Sequence, residues 1–305
     1  MKLAQECHGR SDMMYSYDDA CGSNFLYMPS EGAREDASTA TRWKYRFAMQ
    51  CNLFPGHLLR LSLLPPCLIK GCNFGCTAFF SSLVRLAALG RLSEHVVRQT
   101  DSGSDNDAKA THAFHWSLIH FGVVQMLTWT RLPPKHSHNF ADRVNSMVKE
   151  QIAPQRGSGG GCRAPFEFKD VMDRALKTLV EKGQGMAEFA WHFTNFKWVE
   201  WFASFGCIHK SFGNFDDHRH WVYQYDAALP EHGYVRVLYK EDIATTGGTT
   251  ERPYEFKPVD DHDVTKPEGL YFIQDSQKVP RCLASPHLSV MTDPLSCAVF
   301  VLVKS

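Results

Sequence analysis

The chain has 305 residues, 44% of them hydrophobic, and its 33 basic and 33 acidic side chains cancel. That is ample apolar content for one large core, or a core with a smaller extension, and the neutral total argues against a generic basic DNA-coating protein. No apolar run reaches the ~18 residues that would mark a helical membrane span, and the opening MKLAQECHGRSDMM lacks the apolar centre of a secretory signal, which predicts an intracellular protein.

Ten cysteines are scattered along the chain. Without a secretory signal, reduced thiols are expected rather than a disulfide framework. Cys67, Cys72 and Cys76 cluster, but they form no CxxC pair, and no second cluster supplies a fourth zinc ligand at finger spacing.

Residues 1–40 are polar and turn-rich, with one informative segment, MMYSYDDACGSNFLYMPS. Tyr15 and Tyr17 alternate with small or polar neighbours, and Asp18 and Asp19 arrive where such a strand would end. Taken alone, an acid pair beside Gly22 is an ordinary solvated turn. From Trp43 to Lys70, WKYRFAMQCNLF and HLLRLSLLPP alternate around the turn signal Pro55-Gly56, which predicts two antiparallel strands. Thr77 to Leu89 then carries Phe79, Phe80, Leu83, Val84, Ala87 and Leu89 at helical spacing, with Gly90 as a natural stop. The preceding GCNFGCT has neither the lysine nor the glycine spacing of a phosphate loop.

The segment from Val96 to Glu150 organises the rest. A β-branched strand, VVRQT, ends on Asp101. Ser104 or Asp105 can cap a helix that runs to Phe121 and closes at Gly122. His112 and His115 lie one turn apart on it, a spacing that packed or surface histidines share with metal ligands. MLTWT is a further strand ended by Leu132-Pro133-Pro134. In the helix predicted next, Phe140, Val144, Met147 and Val148 share one side, while His138, Asp142, Asn145 and Lys149 share the other. That polar side is either a wet face or a stripe turned towards Asp101.

QRGSGGG, from Gln155 to Gly161, reads as a linker. Beyond it, FEFKDVMDRALKTLVEKG has a helical period, AEFAWHFTNFKWVEWFASFG is densely aromatic and reads as core, and HWVYQYDAALPEHGYVRVLYK reads as a β-hairpin. RPYEFKPV, GLYFIQ and CAVFVLV are further strand candidates. The expected division is a core over 1–154, a linker over 155–165 and an α+β extension over 166–305.

Acids scattered in sequence but gathered at one sheet edge are suited to holding two divalent cations about 3.5–4 Å apart, which stabilise both the attacking and the leaving oxygen in phosphodiester chemistry. Here the candidates are Asp18 (or Asp19), Asp101, and Asp142 or His138. The predicted order, strand with acid, two strands, helix, strand with acid, helix, strand, helix with acid, is that of an α/β RNase H-like fold, a mixed sheet with flanking helices.

The chain resembles an RNase H-like, transposase/integrase-type domain family of eukaryotic mobile elements. The matching residues are YSYDDA, favouring Asp18, with Pro29 downstream; QTDSGSDNDAK, giving Asp101 with Asn106 and Lys109; and PPKHSHNFADRVNSMVK, giving His136, His138, Asp142 and Lys149. GYVRVLYK is similar to a strand that follows the core in these proteins. The likeness covers about residues 15–150 well and 215–260 loosely. Lys135 replaces the glycine that precedes the first His of the third motif, and the second motif lacks a Gly-Gln-Asn run.

What the resemblance implies is a DDE/D-type nuclease core acting on DNA. Asp18, Asp101 and Asp142 would hold Mg²⁺ or Mn²⁺, His138 would assist as ligand or proton carrier, and Lys109, Lys149 and His136 would contact nucleic acid. Nuclear work would follow from that role, although no Lys/Arg cluster marks an import signal. The alternative is a transposase remnant that keeps the fold as a non-catalytic nucleic-acid-binding or interaction protein. A weaker third reading is a mononuclear hydrolase using His136, His138 and Asp142.

Overall fold

The computed structural model describes residues 12–20, 27–28, 43–44, 46–53, 57–64, 71–101, 109–132, 167, 170, 177, 185–191, 196–204, 218–228, 235–241 and 257–258. In chain order the elements are β1 (Met13–Ala20), β2 (Tyr27–Met28), β3 (Trp43–Lys44), β4 (Arg46–Leu53), β5 (His57–Leu64), α1 (Cys72–Ala88), β6 (His95–Thr100), α2 (Lys109–His120), β7 (Met126–Arg131), β8 (Gly185–Trp191), α3 (Trp198–Ser204), β9 (His218–Tyr225), β10 (Val235–Glu241) and β11 (Lys257–Pro258). The expected α/β class is observed.

Nine strands form one sheet in the order β11-β10-β9-β7-β6-β1-β4-β5-β8, and β2 pairs with β3 separately. The left and right parts of that order differ for a local reason. A short connection allows β4 and β5 to pair antiparallel, and β4 pairs antiparallel with β1. By contrast, β1, β6 and β7 are mutually parallel, because α1 and α2 each occupy a crossover. Strands buried on both faces favour continuous apolar and β-branched sequence. Accordingly Val96, Val97, Arg98, Gln99 and Thr100 of β6 are all buried.

Both predicted helix stops are in place. Gly90 (φ 64) ends α1 and Gly122 (φ 68) ends α2 in the left-handed region. An alanine at Gly90 would meet open space, so only the backbone penalty applies. Gly90→Ala is expected to cost about 1 kcal/mol in urea unfolding; an unchanged midpoint would mean that the turn relaxes to negative φ. Helix α1 begins at Cys72, five residues before the predicted Thr77, and these added residues bury Cys72, Phe74 and Cys76.

Helices α1, α2 and α3 pack together on one face of the sheet. Phe79 and Phe80 of α1 meet Phe114 of α2 edge-on, and Trp198 of α3 packs against both Phe80 and Phe114. Asn73 of α1 accepts the backbone N–H of Val199 at 2.9 Å, tying the start of α3 to α1. Trp129, Trp221 and Tyr223 rise from β7 and β9 beneath α2 and are fully buried.

The sheet continues across the expected linker. β8 pairs parallel with β5, and β9 pairs antiparallel with β7, so strands from 166–305 complete the sheet begun in 1–154 instead of forming a separate extension. The hairpin expectation holds, since β9 and β10 are antiparallel. The aromatic stretch divides between β8 and α3, with Trp198 and Phe202 in the core. Glu167, Asp170 and Lys177 are helical, whereas the GLYFIQ and CAVFVLV candidates lie outside the described residues.

Candidate active site

Parallel pairing of β1 with β6 sets Asp18 opposite Thr100. Asp101 follows as the next residue beyond β6. The two acids therefore occupy the carboxyl ends of neighbouring parallel strands, the edge of an α/β sheet where ligand sites form. Asp101 is near enough to help push the Asp18 carboxyl upward.

Alternation along the strands puts Ser16 and Asp18 of β1 on the same face as Arg98 and Thr100 of β6. That is the helix-covered face, and it determines the surroundings of Asp18. The residue is 7% exposed. Arg98 Nε donates to Asp18 Oδ2 at 2.6 Å, and the Ser16 hydroxyl donates to Oδ1 at 3.2 Å. Burial raises the Asp18 carboxyl above its ordinary range, while the Arg98 charge and hydrogen bond oppose that rise.

Arg98 has three neighbours at once. Besides Asp18, its Nη1 lies 2.7 Å from His115 Nε2, and its guanidinium carbon sits 4.1 Å from the centre of the Phe79 ring. Arginine carries only donors, so His115 Nε2 is the acceptor and the ring proton resides on Nδ1. The imidazole is neutral, in agreement with burial and the adjacent Arg98 holding its pKa well below 6.5. His112, one turn earlier, meets the Tyr223 hydroxyl through Nδ1 and is likewise held neutral, by burial first and by Arg131 second. Both histidines are wedged edge-on against Trp129. They are packed core groups, the commoner of the two outcomes their spacing allowed.

Arg131, at the end of β7, lies in register with Thr100, is buried, and places its guanidinium carbon 5.6 Å from the centre of the Trp129 ring. The acidic edge thus has two buried arginines beside it. On the opposite face of β1 and β6, the Tyr15 hydroxyl donates to Gln99. Cys72 and Cys76 form a buried thiol pair 3.7 Å apart, and Cys72 also lies 3.2 Å from the Thr111 hydroxyl. Burial pushes the Cys76 thiol well up, which keeps it protonated and inert.

The structure therefore brings Asp18 and Asp101 together. Asp142, His138, His136 and Lys149 lie outside the described residues, as does the Lys109 side chain; the Lys109 backbone starts α2. Among the described residues, no group of three or more His, Cys, Asp or Glu side chains is gathered as a metal would need. A two-ion clamp shared by Asp18 and Asp101 does not fit these side chains. Such ions need open carboxylate oxygens and room for water, whereas Asp18 is covered and bonded to a guanidinium.

Sequence reasoning missed Arg98. Its signal was present: a permanent charge inside an apolar, β-branched strand has to be neutralised by something.

Compared with models of known protein families, with curated proteins and with solved structures, the chain matches none of them. Among the described residues, no helix is long and apolar enough to cross a membrane.

Proposed function

We propose that this chain is an RNase H-like core of the transposase/integrase type, acting on DNA in divalent-metal-dependent phosphodiester cleavage or strand transfer. One observation carries the reading: Asp18, two residues before the end of β1, and Asp101, just beyond β6, are distant in sequence but lie towards the carboxyl ends of adjacent parallel strands. The order of elements supports it. Leaving aside the two-residue strands β2 and β3, the chain runs strand, two antiparallel partners, helix, strand, helix, strand, with β6 and β7 parallel to β1. As far as β7 this agrees with the order expected from the sequence, whose last element, the helix with Asp142, lies outside the described residues. The YSYDDA, QTDSGSDNDAK and PPKHSHNFADRV segments add the family resemblance.

A second reading is favoured by the Arg98–Asp18 contact: a transposase-derived protein that keeps the fold and binds nucleic acid without cutting it. A carboxylate already neutralised by a buried guanidinium is a structural group as much as a chemical one.

A cleavage assay separates the two. With labelled duplex DNA and Mn²⁺, the wild-type chain is expected to cut or join strands, and Asp101→Asn to lower the rate at least ~100-fold, the loss of about 3 kcal/mol of transition-state stabilisation. A folded wild-type chain that binds duplex but leaves it intact would establish the second reading. Equal rates for the wild type and Asp101→Asn would remove Asp101 from the chemistry.

A further inference from the structure

No further inference is drawn: the strongest candidate, the buried side-chain cluster of Asp18, Arg98 and His115 between the sheet and α2, belongs to the site already described, and among the described residues no group of three or more His, Cys, Asp or Glu side chains is gathered to take a metal ion.

Discussion

Arg98→Met is expected to destabilise the protein by about 3–5 kcal/mol, because removing one member of a buried ion pair strands the other without compensation. The substitution keeps much of the apolar stem that packs near Phe79 but deletes the 2.6 Å bond to Asp18 and the 2.7 Å bond to His115. A carboxylate that is 7% exposed has little water with which to replace them. Urea unfolding followed by tryptophan fluorescence would measure the loss, since Trp116, Trp129 and Trp221 are fully buried and Trp129 packs against His115. The companion Asp18→Leu/Arg98→Met is expected to recover most of it, as apolar replacements of whole buried pairs commonly do. A loss below about 1 kcal/mol for Arg98→Met alone would place the pair among exposed salt bridges, which contribute that little.

Acidification is the second large effect. His112 and His115 are both completely buried, and burial, then the Arg131 charge on His112 and the Arg98 charge on His115, holds each pKa well below 6.5. In the unfolded chain both rings take up protons near 6.5, while in the folded chain they stay neutral, so the unfolded state binds more protons below that pH. Stability is therefore full above about pH 7 and is lost as pH falls. Between about pH 7.5 and 5.5 each ring contributes roughly 1.4 kcal/mol of loss, and the pair about 2.7. Asp18 runs the other way. With its folded value raised, it favours the folded state at low pH and loses that contribution as pH rises out of the carboxylate range, above 3.8. The net acid destabilisation at mildly acidic pH is the histidine pair's, reduced by whatever Asp18 returns. His115→Gln supplies an amide oxygen for Arg98 and carries no proton, so its stability profile is expected to lose one proton's slope, about 1.4 kcal/mol per pH unit. Parallel profiles for wild type and His115→Gln would show that this ring charges freely in the folded protein.

Much of the fold was legible because its signals are local. Alternation in MMYSYDDA, HLLRLSLL and MLTWT marked β1, β5 and β7, and the glycines after α1 and α2 marked where those helices stop. A strand ending on Asp101 was legible for the same reason: VVRQT is β-branched and is followed by turn residues. The aromatic stretch was harder. Dense aromatics suit a buried strand and a buried helix equally, and here β8 takes one half and α3 the other.

By itself the sequence determined the α/β class, most of the element positions between Met13 and Arg131, and the strand that stops at Asp101, because periodicity, turn chemistry and helix stops act over a few residues. Only the tertiary structure decided which strands become neighbours. β8 lies beside β5, β9 beside β7, and β6 beside β1. Such pairings join segments far apart in the chain, and no local pattern encodes the partner. They made one sheet of what had looked like a core and an extension, and they put Asp18 and Asp101 on one edge. They also turned Arg98 inward onto Asp18, Phe79 and His115. The charge of Arg98 is written in the sequence, but what neutralises it depends on which side chains three other elements bring within contact distance.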